Sequence, residues 1–218
     1  MLKIYGVPVS VHTRKAIVVA LAKNLPHEVI PVVPVIPGNP PGNWRTLSPT
    51  GKIPALADGD FTVEDSAAIC AYMERLQPAP ALYPREARAY ARTLALEQYA
   101  GTLFREVVHP LFHETFVHPK IRNIPTDSAR VNDVLMYAVP EHFGYLDRLE
   151  WSHDLCVAQI AVASNLVTYR YIGFDPRRGD YPNLAAMFDR VVAHPAVREA
   201  LRREVPAVQS MGLHVQDW

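Results

Sequence analysis

Lys52-Ile53-Pro54-Ala55-Leu56 is followed, across an Asp58-Gly59-Asp60 turn signal, by Glu64-Asp65-Ser66-Ala67-Ala68-Ile69. No other stretch constrains the fold as tightly. Proline cannot donate to a sheet ladder, so Pro54 belongs at the first residue of a strand or in a turn. Ile53 is then left with its own N–H and C=O to direct at a ligand. The Gly59 turn predicts two short strands, at 54–57 and 61–63. Asp65 and Ser66 stand where a helix opens, offering a carboxylate, a hydroxyl and free backbone N–H groups. Those donors suit a carboxylate, and Asp65 suits an ammonium group. The segment describes a site for a ligand with amino-acid character at one end and a peptide backbone in its middle.

The rest of the first 80 residues fits around this hairpin. Leu2–Tyr5 reads as a buried strand, and the Gly6–Val11 loop leads to a helix from about His12 to Asn24, with Ala16, Val19, Ala20 and Lys23 at helical spacing. Residues 28–33 read as a second strand. Eight of the 20 prolines fall between Pro26 and Pro54, which forbids a long helix there and predicts a stiff, extended loop. A short helix is expected around Trp44–Leu47 and a longer one over 65–77. Gln77-Pro78-Ala79-Pro80-Ala81 reads as a linker. Beyond it no strand signal stands out, and helical patterns occupy about 86–116, 127–151, 156–171, 182–192 and 195–203.

This arrangement closely resembles the glutathione-binding half of the glutathione transferases, and the resemblance runs through Lys3-Ile4-Tyr5-Gly6, Ser66-Ala67-Ala68-Ile69, Tyr181-Pro182-Asn183-Leu184 and His194-Pro195-Ala196-Val197. It implies an α+β thioredoxin-like N-terminal domain at 1–78, an all-α C-terminal domain at 86–204 carrying the electrophile pocket, and a tail at 205–218 that covers the active site or packs on the surface. In that family the Ile53-Pro54 bond is cis and Ile53 pairs with the cysteinyl backbone of glutathione. Asp65 and Ser66 hold its γ-glutamyl end, and Lys52 meets the glycyl carboxylate. Asn39 stands where phi-class enzymes often carry a histidine. As partner, the resemblance implies a second copy of the chain in a two-fold dimer.

Only a few per cent of a glutathione-like thiol is ionised at neutral pH, so an enzyme gains by placing a donor and a positive field at the sulfur. That donor is expected in the loop Gly6–Arg14. Ser10 matches the catalytic serine of the phi and theta classes; its bland role is to cap the first helix. Thr13 and His12 are alternatives for the thiol contact, and Tyr5 is expected in the core. The loop has no cysteine, which removes the attacking thiol of mixed-disulfide chemistry. Phe104, Arg105, His109, Phe112 and His113 lie at i+3 or i+4 spacings and, with His12, are candidates for a second-substrate pocket, against the commoner role of such residues as core. The His109/His113 pair lacks the H-E-x-x-H pattern and is interrupted by Pro110, so no metal site is expected. Cys156 stands where the family usually has a Ser or Thr cap for the sixth helix; Gln159 is suited to the reciprocal role, and Ser152 and Asp154 are alternative starts.

Composition narrows the alternatives. Formal net charge is zero and is balanced by half: seven Lys/Arg against six Asp/Glu in 1–80, and fifteen against sixteen in 81–218. Nothing calls for nucleic acid or an anionic membrane. No apolar run approaches the roughly 18–20 residues of a membrane span, and Met1–Tyr5 enters a strand with no signal-peptide pattern. Cys70 and Cys156 show no C-x-x-C spacing, so thioredoxin-type redox is disfavoured and a reducing cytoplasm is expected. Two functions remain. One is a transferase, or a glutathione-dependent isomerase or peroxidase, working on a small hydrophobic electrophile or a peroxide. The other is a non-catalytic interaction module of the stringent-starvation-protein type, which the presence of Ser10, Ile53-Pro54 and Asp65-Ser66 argues against.

Overall fold

The computed structural model describes residues 1–36, 38–176 and 179–218; Pro37, within the proline-rich loop, lies outside them. Its N-terminal part is a four-stranded mixed sheet. Strands β1 (Leu2–Tyr5), β2 (His27–Ile30), β3 (Ala55–Asp58) and β4 (Phe61–Glu64) lie in the order β2-β1-β3-β4. The β1–β2 pair is parallel, and the crossover between them is helix α1 (Val11–Ala22). β3 runs antiparallel to β1 with Ile4 opposite Leu56, and β4 antiparallel to β3 with Asp58 opposite Phe61. That register leaves a two-residue turn, Gly59-Asp60, and Gly59 takes φ +61°, as such a turn requires. Helices α2 (Trp44–Leu47) and α3 (Ser66–Leu76) complete this part. The strand–helix order is the thioredoxin-like one expected from the turn and proline signals.

Helix α1 is apolar nearly all round because it has no solvent face: it packs against β1 and α3 on one side and against the helical region on the other. Two buried cations on α1 and a third, Lys23, at its C-cap each find a carboxylate. Arg14 meets Glu204, Lys15 meets Glu97 and Lys23 meets Glu74, at 2.7, 2.8 and 2.6 Å. Lys23 Nζ also donates to the carbonyls of Gln77 and Pro80, which fastens the linker where the chain leaves α3. Buried charges are tolerated only with this degree of pairing.

The remaining elements are helical, and their buried side chains continue the cluster begun by Ile4, Ile17 and Met73 through Leu103, Phe143, Leu166 and Leu184. Residues 87–122 form one run whose register changes along its length. Helix α4 (Ala87–Leu103) passes into a π-helical turn (Phe104–Val108), then α5 (His109–Phe112), then a second π-helical stretch (His113–Arg122), ending at left-handed Asn123. Helix α6 (Ser128–Asp133) leads through a third π-helical turn (Val134–Ala138) into α7 (Val139–Asp147). Each π segment contains a proline, Pro119, or ends two residues before one, Pro110 or Pro140. Proline lacks an N–H and its ring crowds the carbonyl one α-turn earlier, and a wider turn accommodates both.

Helices α8 (Val157–Tyr171), α9 (Pro182–Ala193) and α10 (Pro195–Ser210) close the bundle. Cys156 is the residue before α8, so the start does not shift to Ser152 or Asp154. Gln159 makes the reciprocal bond, its Oε1 accepting from the Cys156 N–H at 2.9 Å while its Nε2 donates to the Ser152 carbonyl at 2.7 Å. Residues 205–210, expected in the tail, continue α10 through Pro206. The final residues turn back onto the bundle. The His214 N–H donates to the Tyr171 carbonyl, Trp218 packs edge-on to Tyr171 and Phe188, and Arg198 donates to the Trp218 carbonyl. Of the two roles open to the tail, packing on the helical surface is the one observed.

Candidate functional site

The loop after β1 is shaped by Gly6. A Cβ there would stand 2.5 Å from Thr13 Oγ1, so only glycine lets the loop fold down onto α1. The consequence for Thr13 is complete burial, with no hydrogen-bond partner for its hydroxyl among the described residues. A group so enclosed is not available to a thiol, which removes one of the three alternatives.

Ser10 occupies the N-cap position of α1, yet its side chain makes no cap bond. Its carbonyl accepts from the Arg14 N–H at 2.8 Å and its own N–H donates to Val7. The hydroxyl stays half-exposed at a helix N-terminus whose first turn carries no acidic residue, so the positive end of the helix is not neutralised locally. A thiol seated there meets both requirements for a lowered pKa, a donor and a positive field. Arg14 steadies the approach to this position. Its Nη2 donates to the Val9 carbonyl at 3.1 Å while its Nε and Nη2 hold Glu204.

His12, two residues on, is half-buried and edge-on to Phe104, with ring centroids 4.8 Å apart. Burial first, and then the charges of Lys15 and Lys52, push its pKa down to about 4 against the opposing pull of Asp65. The imidazole is therefore neutral across the physiological range. It lies within electrostatic reach of both Asp65 and Lys52.

At the hairpin, Ile53-Pro54 is a cis peptide. The Ile53 side chain packs with Val32 and Trp44, as does Tyr5, which is core as expected. Ile53 stands two residues outside the β3 ladder, and its N–H and C=O have no hydrogen-bond partner among the described residues. Lys52 is exposed, its N–H donating to Thr50 Oγ1 and its carbonyl accepting from Ser48.

Asp65 caps α3, accepting from the N–H groups of Ala67 and Ala68 at 2.8 and 3.2 Å. It does so at φ +74°, a conformation uncommon for any residue but glycine. Thus the plain capping role is observed, and strained backbone comes with it. Ser66 is buried, and neither its hydroxyl nor its N–H has a partner among the described residues. Sequence reasoning missed the work of Glu64. Its carboxylate accepts from Ser48 Oγ at 2.7 Å and from the hydroxyl and N–H of Thr50, with the Ser48 bond the chief reason its pKa falls. This clamps the residues before Lys52 onto β4. The only signal was the Glu64-Asp65 doublet, of which a helix start needs one.

Asn39 is exposed, and its Oδ1 accepts from the Val33 N–H at 2.6 Å, closing a turn of the proline-rich loop.

The pocket candidates on the long helical run separate. Phe104, His109 and His113 follow one another in one column, edge-on at 5.4 Å and then tilted at 4.2 Å between ring centroids, and His12 meets Phe104 edge-on. Phe112 pairs with Phe116 instead, and Arg105 is exposed with its guanidinium on Thr102 Oγ1. The cause is the π register. At about 100° per residue an α-helix would put Phe104 and His109 on different faces; a π turn brings them together. Burial lowers the pKa of both His109 and His113. No group of three or more potential metal ligands is found among the described residues.

Residues 4–81 match the family profile described as "Glutathione S-transferase, N-terminal domain". The whole chain resembles glutathione S-transferase Z1 of Arabidopsis thaliana, 26% identical over 88% of each chain. It likewise resembles glutathione S-transferase 3 of Zea mays, 27% identical over 92% of this chain and 93% of that one. Among solved structures, a glutathione S-transferase from Rhodospirillum rubrum F11 superimposes with a TM-score of 0.81 at 27% identity, covering 92% of both chains. The first 80 residues thus carry a glutathione transferase N-terminal domain, and the chain as a whole is similar to glutathione transferases. FzlA from C. crescentus shares the fold as well, with a TM-score of 0.82 at 21% identity over 92% of both chains; that likeness concerns the fold alone. Among the described residues, the cis-Pro step, the start of α3 and the start of α1 carry polar groups without a protein partner. No helix among the described residues is long and apolar enough to cross a membrane.

Proposed function

We propose that the protein is a glutathione transferase in which Ser10 stabilises the glutathione thiolate for attack on a small electrophile. The observation carrying this reading is the set of unspent polar groups at the three marked positions: the Ile53 N–H and C=O, the Ser66 N–H and hydroxyl, and the Ser10 hydroxyl. Polar groups that solvent can reach and no protein group occupies are free to exchange water for a ligand at little cost. Glutathione matches the set. Its cysteinyl backbone pairs with Ile53, its γ-glutamyl carboxylate meets Ser66 and the start of α3, its ammonium faces Asp65, and Lys52 reaches the glycyl carboxylate. Asn39, whose amide oxygen is engaged by Val33, has only its amide nitrogen left to offer.

In the reaction the thiol loses its proton, the Ser10 hydroxyl donates to the sulfur, and the thiolate attacks an electrophilic carbon presented along the Phe104–His109 face. Neutral His12 lines the boundary between the two substrates. The Z-type relatives suggest isomerisation as a second outcome of the same thiolate chemistry. The protein works without a resident metal, in the cytoplasm, and as a two-fold homodimer in keeping with its family. A glutathione-binding domain at 1–78 and an electrophile-binding helical domain at 86–204 divide these tasks.

The test is calorimetric titration with glutathione, with thiolate absorbance of the bound ligand followed across pH. Binding with a depressed thiol pKa supports the reading. Absence of binding at millimolar glutathione rejects it in favour of an interaction module.

A further inference from the structure

We infer that Trp218, in the segment that folds back after α10, is a positioning residue for Ser10, acting through Tyr171 and Arg14 on the peptide plane that joins Val9 to Ser10. Its consequence for the glutathione thiol rests on the transferase reading above.

The need for such a device starts at Ser10. Its side chain makes no cap bond, so the backbone alone decides where the hydroxyl stands. The Ser10 N–H and C=O are tied to Val7 and to the Arg14 N–H, and the Val9 carbonyl just before it accepts from Arg14 Nη2 at 3.1 Å. That last bond belongs to a guanidinium whose five N–H donors are all spent. Nε and Nη2 hold Glu204 at 2.7 and 2.9 Å, and Nη1 donates to the Ser164 carbonyl at 2.6 Å and to Thr168 Oγ1 at 3.1 Å. These partners sit on α8 and α10; Val9 alone sits on a loop. A guanidinium is a rigid plane, so any tilt passes to the partner that yields most easily, which is the loop.

The tilt of that plane is set from the end of the fold. The Tyr171 ring lies against the Arg14 guanidinium, with 5.5 Å between ring centroid and Cζ. The buried Tyr171 hydroxyl donates to Glu204, the same carboxylate that holds Arg14, and accepts from the Trp218 indole N–H. The indole is fixed in its turn. Tyr171 and Phe188 meet it edge-on at 6.1 and 5.8 Å, the Arg170 guanidinium lies 5.0 Å over it, and Arg198 donates to the Trp218 carbonyl at 2.9 Å. Inside a buried network a lost partner is not made good by bulk water. Removing the indole leaves the Tyr171 hydroxyl without its donor, loosens its hold on Glu204 and frees the guanidinium to tilt.

The test reads the loop and the thiol separately on the full chain. Without ligand, amide hydrogen exchange at Ser10, whose N–H donates to the Val7 carbonyl, is compared in the wild type, Trp218→Ala and Tyr171→Phe, each relative to Ile4 in the sheet. We expect Ser10 exchange roughly threefold faster in both variants. With glutathione bound, the thiol pKa should rise by about half a unit in each, a roughly threefold loss of thiolate below that pKa, with little change in glutathione affinity. In a Ser10→Ala background the same substitutions should leave the thiol pKa where Ser10→Ala alone puts it, because they act through the missing hydroxyl. A merely structural role for Trp218 would lower the urea midpoint without this dependence on Ser10. Unchanged relative exchange at Ser10 overturns the inference, as does a thiol shift that persists in the Ser10→Ala background. Where the wild type depresses the thiol pKa, an unmoved value in the variants overturns it too. If the wild type fails to bind glutathione or to depress its pKa while Ser10 exchange still accelerates in the variants, the transferase reading is rejected and the coupling of Trp218 to the loop stands.

Discussion

Replacing Glu204 by alanine tests the junction that holds the thiol loop. Arg14 and Glu204 form a bidentate pair at 2.7 and 2.9 Å, and each side chain is 1% exposed. In Glu204→Ala the guanidinium stays buried, keeping the Ser164 carbonyl, Thr168 Oγ1 and the Val9 carbonyl but no counter-charge. Stranding a buried charge in this way costs about 3–5 kcal/mol. For a chain of this size that is roughly 6–20 °C in Tm. Glu204→Gln keeps an acceptor in place and is expected to cost about 1–3 kcal/mol. The double variant Arg14→Met/Glu204→Leu removes both charges and should recover most of the loss, because well-packed apolar replacements of buried pairs are often neutral. Urea unfolding of the four proteins, wild type included, ranks these costs. A Glu204→Ala cost below about 1 kcal/mol would mean that the pair is solvated, and the reasoning would fail. Because Arg14 also holds Val9 beside Ser10, bound-thiol pKa in Glu204→Gln reports whether the junction sets the loop's position.

Ser10→Ala should raise the bound thiol's pKa by about one unit or more, equivalent to about 1.4 kcal/mol per unit, with glutathione affinity within a few-fold; an unmoved thiol pKa would remove Ser10 from the mechanism. Asp65→Asn preserves a cap acceptor and removes the charge, so glutathione affinity should drop while stability changes little, and unaltered affinity would reduce Asp65 to a cap. The folded-state pKa of His12, about 4, lies below its unfolded value, so the unfolded chain binds the extra proton between about pH 6.5 and pH 4 and stability falls as pH falls through that window. The loss is at most about 3 kcal/mol, and urea midpoints for His12→Phe should be flatter over the same range.

Local chemistry made the sheet and most helices legible. Pro54, the Gly59 turn and the Asp65 cap fix β3, β4 and the start of α3 within a residue or so, since each acts on its own backbone. The same local signals put Ile53 just before β3 and Ser66 at the start of α3, while Ser10 was singled out by resemblance; the ligand roles of all three belong to the proposed function. The column of rings was not legible. A 3.6-residue period groups Arg105 with His109 and Phe112, whereas the π turns set by Pro110 and Pro119 group Phe104 with His109 and His113. Prolines in that run were visible, but read as interruptions instead of as changes of phase. Asn39 was placed by counting, and its engagement with Val33 depends on a turn that only the folded loop creates. Pairs such as Arg14–Glu204, 190 residues apart, carry no local signal at all.

Helix α1 has a consequence for how chains of this kind recombine. Its cations are matched by Glu74 within the first 80 residues but by Glu97 and Glu204 beyond them. A chimera that joins the sheet portion to a foreign helical portion inherits two unneutralised charges at the seam unless the recipient carries acids at both positions. Exchange of halves is therefore restricted to lineages sharing this lock, and a graft fails first at Arg14 and Lys15, one turn of α1 behind Ser10.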